Sequence, residues 1–363
     1  MSLIFESRPN PNPVADGKRN EILSNPGFGS VFTDHMAIAT WTRNNGWQDD
    51  AVVPYGPFQL DPSAAVFHYG QEIFEGLKAY RHADGSVWTF RPEVNAQRFA
   101  RSAQRLGLPV LSERDFITSI ENLVTADQAW VPEGEDERSL YLRPFMFASE
   151  AFLGVRAAEK VTYAVIASPA GAYFASGVKP ISIWITTEYS RAGAGGTGAA
   201  KCGGNYASSL LAQQQAAEHG CAQVLFADAE QHTYVEELGG MNVFMITAAG
   251  ELVTPALTGS ILEGVTRGAL LELAGERGLT PVERQIGMAE LLDGMADGSV
   301  TEVFACGTAA VITPIGAFVD NERTITAVTG DTVGPHTAAL RKRLLDIQYG
   351  RAEDTHGWMH RIV

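Results

Sequence analysis

Strand-like and helix-like segments alternate along both halves of this sequence, which restricts the chain to folds that mix the two. The predicted strands are Val31–Trp41, Val66–Tyr69, Leu77–Tyr80, Val87–Phe90, SLYLRPFMFAS, VTYAVIASPAG, ISIWITT, AQVLFAD, YVEELGGMNVFMIT and TEVFACG. The predicted helices are PEVNAQRFARSAQRLGL, about Glu113–Ala129, a segment after Asn205 that runs to Gly220, and a segment from Glu263. The alternation predicts an α/β or α+β fold of two domains, with a pocket between them as the default site.

The length of 363 residues and a hydrophobic content of 45% are sufficient for two separate cores. Residues 1–25 are predicted to form a loosely held arm, and residues 26–170 a small α/β domain. The small-residue segment 171–181, which contains Pro180, is the candidate linker. Residues 182–363 then form the larger domain.

The formal net charge of -15 argues against nucleic acid or an anionic membrane as a partner, because a phosphate surface attracts basic proteins. A small anionic substrate stays possible, since a few local cations can dominate one pocket. Three sparse cysteines predict free thiols in a reducing compartment, and they offer no zinc spacing, so no metal is expected. The polar, proline-interrupted start predicts no signal peptide, and no apolar stretch is long enough to span a membrane. We therefore expect a cytoplasmic protein.

The most unusual segment is the glycine-rich run RAGAGGTGAAKCGGNYASSLLAQQQAAEHG. Gly193, Gly195 and Gly198 fit a GxGxxG pattern, but Lys-Cys-Gly-Gly follows where a dinucleotide-binding helix should begin. A Walker-type phosphate loop is excluded as well, since Lys201 is preceded by alanine and followed by cysteine. A flexible surface loop is the simplest remaining interpretation.

The residues around Lys201 favour a functional interpretation. Gly203 and Gly204 let the backbone pass close to a ligand, and Asn205 is predicted to cap the following helix. Lys201 would then precede a helix N-terminus, with Tyr206 in the first turn. A lysine among small residues can be buried, and burial favours the neutral amine that a Schiff base with an aldehyde requires.

Several separated motifs resemble one family. They are FGSVFTDHM, FHYGQEIFEGLKAYR, NAQRFARSA, LYLRP, SPAGAYF, KCGGNYASSLLAQQ, VEELGGMNVF, LTGSILEGVTRGALLELA and VFACGTAAVITPI. In this order they resemble branched-chain amino acid aminotransferases of the fold-type-IV class that uses pyridoxal 5′-phosphate. The resemblance covers nearly the whole chain from Phe28 onward. It implies a two-domain fold with the cofactor site at the domain interface, and 182–363 as the cofactor-binding domain.

The resemblance also implies roles around the cofactor. Lys201 would be the Schiff-base lysine and, once released by substrate, the base that moves the proton between Cα and the cofactor's C4′. Glu237 would face the pyridine nitrogen and keep it protonated, and Tyr206 would bond the phenolic oxygen. The phosphate would lie at Val265 and Thr266, where a helix begins. Further phosphate contacts would come from Arg98 and Thr308. Glu236, adjacent in a strand, is expected to be an exposed surface carboxylate.

Substrate contacts follow from the same resemblance. Tyr141 and Arg143 would meet the distal carboxylate of glutamate or 2-oxoglutarate, and backbone groups at Thr308 and Ala309 the α-carboxylate. The apolar wall for leucine, isoleucine or valine would consist of Phe28, Phe74 and Tyr173, although ordinary core is the alternative for these rings. Tyr69 and the pair Leu153 and Val155 resemble residues given by a neighbouring subunit, which implies a homodimer.

Two positions depart from relatives of this family. Gly240 stands where some have a hydroxyl residue, and Ala310 and Thr313 stand where some carry a CxxC pair. Neither change removes a group that transamination needs. The alternative functions are another fold-type-IV enzyme, such as a D-amino-acid aminotransferase or aminodeoxychorismate lyase, and a non-catalytic phosphate-binding module.

Overall fold

The computed structural model describes residues 2–172 and 177–363, apart from the side chain of Glu135. Packing divides the chain into two compact units. The first comprises the chain up to Ala172 together with Ala200–Gly203 and Asp346–Val363, and the second contains the stretch that ends at Ala199 together with Gly204–Leu345. The domain boundaries near 25, 170 and 181 stay a prediction.

Strands and helices are numbered along the chain. The strands are β1 Glu6–Ser7, β2 His35–Thr42, β3 Gly46–Pro54, β4 Glu72–Phe74, β5 Leu77–Arg81, β6 Val87–Phe90, β7 Ser139–Ala148, β8 Lys160–Ala170, β9 Ile181–Ile185, β10 Gln223–Ala227, β11 Val235–Leu238, β12 Asn242–Thr247, β13 Glu251–Pro255, β14 Thr280–Arg284, β15 Val300–Gly307, β16 Val311–Val319, β17 Thr324–Thr326 and β18 Met359–Arg361. The α-helices are α1 Asp16–Ser24, α2 Ala65–Tyr69, α3 Pro92–Arg105, α4 Glu113–Ala126, α5 Gly203–Ala207, α6 Leu210–Glu218, α7 Val265–Leu273, α8 Met288–Asp297 and α9 Pro335–Gln348. Short 3-10 turns cover Gln128–Trp130, Glu135–Glu137 and Gly275–Arg277.

The first unit is a largely antiparallel sheet with helices packed on it. Its strand order is β1-β3-β2-β8-β7-β5-β6-β18, and β4 pairs with β7. Helix α4 packs on β2, β3 and β8, while α3 packs against α4 and β4. Phe99 of α3 and Phe116 of α4 lie with ring centres 5.3 Å apart, and Phe99 lies 5.7 Å from Tyr163 of β8. These buried rings hold the two helices on the sheet.

The second unit contains a mixed sheet of order β11-β10-β9-β16-β15-β12-β13-β14, and β17 pairs with β16. Strand β9 is parallel to both β10 and β16, whereas β15 is antiparallel to β12 and β16. Helix α6 packs on β9 and β10, and α8 on β15 and β17. Mixed sheets with packed helices agree with the predicted α/β (α+β) class.

The N-terminal residues are anchored, so the prediction of a loosely held arm was wrong. Leu3 and Phe5 are buried in the core of the first unit, 5% and 0% exposed. The amides of Ile4 and Phe5 donate to the Asp50 carboxylate at 2.6 and 2.7 Å, and β1 pairs in parallel with β3. The sequence prediction rested on polarity and prolines, which gave no sign of two core residues.

The segment Val66–Tyr69 is helical, whereas a strand was predicted. It lies in α2, which ends where Gly70 adopts a left-handed conformation with φ +58° and donates its amide to the Val66 carbonyl. Glycine reaches this conformation without the strain that other residues meet. A helix of one turn shows too little periodicity to be distinguished from a short strand.

Asn205 is not the helix cap that was predicted. Helix α5 begins two residues earlier, and the Asn205 side chain instead accepts from the Thr197 hydroxyl at 2.7 Å and donates to the Thr197 carbonyl at 2.8 Å. Asn205 therefore fastens the glycine-rich loop to the helix. The predicted continuous helix to Gly220 is two helices, α5 and α6, with Ser208 and Ser209 between them.

The three cysteines are free and buried, which confirms the prediction of unpaired thiols. Burial raises the pKa of the Cys221 thiol, and it raises that of Cys306 well above its ordinary range. In the part of the chain that the structure describes, none of the helices has the length and apolar character of a membrane span.

Candidate active site

Lys201 is held through its backbone within the first unit. Its amide donates to the Ser102 hydroxyl at 2.9 Å, and its carbonyl accepts from the Phe74 amide at 3.0 Å. Two residues later, the Gly203 amide donates to the carboxylate of Glu72. The Lys201 amine lies 4.8 Å from the centre of the Phe74 ring. With the main chain fixed on both sides, the reach of the amine depends only on its own side-chain torsions.

Arg98 of α3 forms a bidentate ion pair with Glu75. Its Nε and Nη2 donate to the two carboxylate oxygens at 2.7 and 2.8 Å, and Asn95 donates to the same carboxylate at 2.7 Å. Glu75 is fully buried and Arg98 is 4% exposed. Burial by itself raises the pKa of Glu75, but the positive charges of Arg98 and Lys201 and the donated hydrogen bonds lower it below its usual value. The ionised carboxylate thus fixes the orientation of the guanidinium.

A second arginine of the first unit lies among aromatic rings. Tyr141 and Arg143 share one face of β7 because successive side chains of a strand alternate, and Arg143 donates to the Tyr141 hydroxyl at 3.1 Å. The guanidinium carbon is 4.9 Å from the ring centre of Phe74 and 5.4 Å from that of Tyr141. Phe28 meets the Tyr141 ring edge-on at 5.1 Å. The first unit thereby brings together a cation and three rings of the predicted substrate site.

Gly76 makes room for this cluster. A Cβ at this position would lie 2.1 Å from the Tyr141 hydroxyl oxygen, which is far inside van der Waals contact. Any other residue at Gly76 would displace the phenol that Arg143 holds.

The other predicted substrate residues are separate from this cluster or outside the described residues. Tyr69 donates to the carbonyl of Leu153, and both side chains are exposed, as is that of Val155 at 89%. Phe28 is 55% exposed and so is not ordinary core. Tyr173 lies outside the residues that the structure describes.

In the second unit, Glu237 of β11 is buried and oriented by three donors. Arg191 Nη1 lies 2.8 Å from one carboxylate oxygen, which also accepts from the Leu262 amide at 2.8 Å. Asn242 donates to the other oxygen at 3.5 Å. Glu237 is 2% exposed and Arg191 is 3% exposed. A carboxylate with a buried guanidinium and a backbone amide on it is held in its ionised form.

Glu236 is buried as well, so the prediction that it is a surface carboxylate was wrong. It is 8% exposed and accepts a hydrogen bond from the Ser260 hydroxyl. Burial raises the pKa of Glu236, partly offset by this bond. Strand alternation does send neighbouring side chains to opposite faces, but both faces of β11 are covered.

A cavity of about 290 Å³ in the second unit brings together three predicted residues, Tyr206, Thr308 and Ala309. The rest of its lining is Ser209, Leu210, Gln213, Gln223, Gly239, Gly240, Met241, Gly307 and Ala310. A Cβ at Gly240 would sit 3.7 Å from the Tyr206 ring, an ordinary contact distance. Because many of the lining residues are small, the phenol of Tyr206 and the turn Gly307–Ala310 both face this cavity.

Helix α7 begins at the predicted phosphate residues. Val265 and Thr266 form its buried first turn, which contains no acidic residue, and Gly264 is the cap. A Cβ at Gly264 would lie 2.1 Å from the Asn242 side-chain oxygen, so the backbone here passes tightly beside the group that also contacts Glu237. First-turn amides have no acceptor inside their own helix, and the helix dipole favours an anion there.

Each unit, considered by itself, contains groups that suit the binding of pyridoxal 5′-phosphate. The first unit offers an amine on a fixed backbone and a buried, oriented guanidinium. The second offers a buried carboxylate for a protonated ring nitrogen, a phenol, and a helix whose first turn contains no acidic residue. No grouping of metal-binding side chains is found among the residues that the structure describes.

Sequence reasoning missed Glu75, Glu72 and Arg191. Glu75 lies inside the motif FEGLKAY, yet no pattern shows that a carboxylate in a strand connection pairs with a helix arginine. Arg191 opens the glycine-rich run, and its pairing with Glu237 joins residues far apart in sequence. A buried carboxylate needs a cation or several donors to compensate it, and that general rule is the only signal that could have prompted a search for them.

The family model described as amino-transferase class IV matches residues 72–318. A branched-chain-amino-acid aminotransferase of Mycolicibacterium smegmatis is 54% identical, over 99% of this chain and 98% of that protein. The crystal structure of the Escherichia coli branched-chain amino acid aminotransferase superposes with a TM-score of 0.74 at 28% identity, covering 90% of this chain and 100% of that one. The crystal structure of a branched-chain amino acid aminotransferase of Thermoproteus uzoniensis with norvaline gives a TM-score of 0.73 at 26% identity, covering 90% and 100%. A further solved branched-chain amino acid aminotransferase, with pyridoxamine 5′-phosphate, gives a TM-score of 0.73 at 29% identity, covering 90% and 99%.

Proposed function

The chain belongs to the class IV aminotransferases, and from this membership we propose how its residues carry out the reaction. The cofactor is pyridoxal 5′-phosphate, and the activity is the reversible transamination of branched-chain amino acids. Leucine, isoleucine or valine gives up its amino group, and 2-oxoglutarate receives it to become glutamate. The bound cofactor supplies an aldehyde that takes up the amino group and a ring that withdraws electrons.

Lys201 is the proposed catalytic residue. Its amine binds the cofactor covalently at rest and, once released, moves a proton between the substrate Cα and the cofactor's C4′ carbon. The bonds from Ser102 and Phe74 to its backbone support this role, because a proton carrier must return to the same place in every cycle. The Phe74 ring, whose centre lies 4.8 Å from the amine, gives that amine a defined aromatic neighbour.

Glu237 is proposed to face the pyridine nitrogen and to hold a proton on it. Its burial and the bonds from Arg191 and Leu262 support a fixed negative charge. Tyr206 is proposed to donate to the phenolic oxygen of the cofactor. Its position on the cavity that Thr308 and Ala309 also line supports this role.

The phosphate is proposed to bind at the start of α7, through the amides of Val265 and Thr266, with contacts from Thr308 and Arg98. Two buried features support this assignment. The first turn of α7 contains no acidic side chain, and the Arg98 guanidinium is held in one orientation by Glu75. An anion gains from both the helix dipole and the fixed cation.

The substrate side chain is proposed to contact Phe28, Phe74 and Tyr173, with Arg143 and Tyr141 meeting a distal carboxylate. Backbone groups of Thr308 and Ala309 take the α-carboxylate, and Tyr69 contributes at the edge of the site. The aromatic surroundings of Arg143 support a pocket that accepts apolar chains as well as a carboxylate.

The working form is proposed to be a cytoplasmic homodimer. The exposed apolar side chains Phe67, Leu153 and Val155, 61%, 65% and 89% exposed, support a subunit contact beside Tyr69. The three free cysteines support a reducing compartment.

The observation that carries the proposal is the backbone-anchored Lys201. Borohydride reduction of the yellow holoenzyme followed by peptide mapping should place the pyridoxyl group on Lys201. Lys201→Ala should lose more than about a thousandfold in kcat, as removal of a covalent base does. Lys179→Ala, at an exposed position, should retain labelling and activity. A pyridoxyl label on any lysine other than Lys201 would contradict the assignment.

A further inference from the structure

The charge of Arg143 has no substrate partner when an apolar amino acid is bound. When leucine occupies the site, no substrate carboxylate reaches this guanidinium. Its Nε is buried without a hydrogen-bond partner among the residues that the structure describes, and Nη2 donates one hydrogen bond, to the Tyr141 hydroxyl. A partly buried cation of this kind needs a compensating negative charge.

Glu72 is the carboxylate placed to supply that charge. It lies two residues before Phe74 on β4, so both side chains leave the strand on the same face. The guanidinium carbon of Arg143 lies 4.9 Å from the centre of the Phe74 ring, so the strand face that carries Glu72 and Phe74 is the one that faces Arg143. Burial raises the pKa of Glu72, while the Gly203 amide and Arg143 act in the opposite direction.

The Glu72 side chain is also held in place by a backbone group. Its carboxylate accepts from the Gly203 amide, and the tight approach leaves no space for a Cβ at Gly203. This backbone bond ties the carboxylate to the Lys201 segment. A substrate carboxylate that pairs with Arg143 must therefore bind while the charge of Glu72 stays in place.

The other nearby charges do not replace Glu72. Lys201 offers no carboxylate, and Glu75 is already engaged by Arg98 in a bidentate pair. We propose that Glu72 is a specificity-determining residue, the resident counter-charge of Arg143. It stabilises the site when an apolar side chain is bound and weakens the binding of a side chain with a distal carboxylate. This inference rests on the proposed role of Arg143 in the proposed function.

Equilibrium binding of two unreactive ligands to the holoenzyme tests this. Glutarate carries the distal carboxylate, and 4-methylpentanoate carries the leucine side chain, while both lack an amino group. Glu72→Gln removes the charge but keeps a carbonyl that can accept from Gly203. By calorimetry, the variant should bind glutarate roughly tenfold more tightly, as expected for charges interacting in a partly buried site. Its affinity for 4-methylpentanoate should be unchanged or lower.

The control is Glu133→Gln, which removes one charge from a side chain that is 75% exposed. It should leave both dissociation constants within about twofold, because exposed charges are screened by solvent. In an Arg143→Met background, Glu72→Gln should change glutarate affinity by less than about threefold, since the guanidinium for which the two carboxylates compete is gone.

Three results would overturn the inference while leaving transamination intact. They are an unchanged affinity of Glu72→Gln for glutarate, an equal loss for both ligands, and an undiminished gain in the Arg143→Met background. Failure of the wild-type holoenzyme to bind either ligand would instead overturn the proposed substrate site itself.

Discussion

At the scale of single residues, two carboxylates are buried against arginines. Glu75 pairs with Arg98 in the first unit, and Glu237 pairs with Arg191 in the second. Buried ion pairs add little net stability, because desolvation offsets attraction, but loss of one partner leaves a bare charge in the interior. These pairs therefore fix the orientation of a charged group. A fixed carboxylate suits a protonated ring nitrogen, and a fixed guanidinium suits a phosphate.

Arg191→Met should be strongly destabilising because it strands Glu237. We expect a loss of about 3–5 kcal/mol in the free energy of unfolding, measured by urea titration at neutral pH. The matched control is Arg43→Met, whose partner Glu159 is 43% exposed and whose own side chain is 72% exposed. That variant should lose no more than about 1 kcal/mol. Equal losses in the two variants would show that the Arg191 pair is not energetically distinct.

Candidate site residues were easier to name than their partners. Lys201 and Tyr206 were named from the glycine-rich run and Thr308 from the family resemblance, and the last two line one cavity. The partners Glu75 and Arg191 were missed because pairing depends on contacts distant in sequence. Glu236 was misjudged since alternation reports the direction of a side chain but not what covers that face.

At the scale of elements, the residues just before the edge strand β1 belong to the core although β1 itself is exposed. The strand has two residues, and Phe5, which directly precedes it, is buried in the core of the first unit. Its position is fixed by amides bound to Asp50 and by the Leu3 amide bound to Asp115 at 2.9 Å.

Phe5→Ala and Ile4→Ala make a matched pair at this element. Phe5 is fully buried, so its truncation should cost about 3–5 kcal/mol through lost burial and the cavity left behind. Ile4 is 68% exposed, and its truncation should change stability by less than about 0.5 kcal/mol. Thermal unfolding followed by circular dichroism measures both. Similar melting temperatures for the two variants would contradict the core position of Phe5.

Periodicity predicted some elements, but length alone did not decide the outcome, because helix α9 of 14 residues was not predicted whereas the short strands β5 and β6 were. Helices α3 and α4 follow apolar faces over several turns, and α4 is capped by Ser112, whose hydroxyl accepts from the Asp115 amide at 3.1 Å. Helix α2 is five residues long, so its ending at Gly70 outweighs any periodic signal. The break between α5 and α6 depends on contacts of Asn205 with Thr197, which the sequence does not display.

At the scale of the whole molecule, the fold class and the presence of two units followed from alternating segments and length. What the sequence did not reveal is that Ala200–Gly203 packs with the first unit, although the residues on both sides of it pack with the second. The reason is physical, since three backbone bonds to Ser102, Phe74 and Glu72 hold this segment. Such bonds are made by main-chain groups and leave no compositional trace.

The proposed homodimer predicts a specific loss of assembly. Val155→Asp should convert a two-chain particle into a one-chain particle in sedimentation experiments at micromolar concentration, because a carboxylate would be buried without a partner. Val328→Asp changes another exposed valine, 58% exposed, and should leave the particle intact. Wild-type protein sedimenting as a single chain, or Val155→Asp sedimenting as two, would contradict the proposal.

The pairing of β18 with β6 has a consequence for synthesis on the ribosome. Strand β6 precedes α3, whereas β18 is made only after the whole second unit has been translated. Until then, the outer edge of β6 stays open and able to pair with other chains. The sheet of the nascent first unit therefore stays incomplete while the second unit is produced, and its β6 edge is open to mispairing throughout that interval.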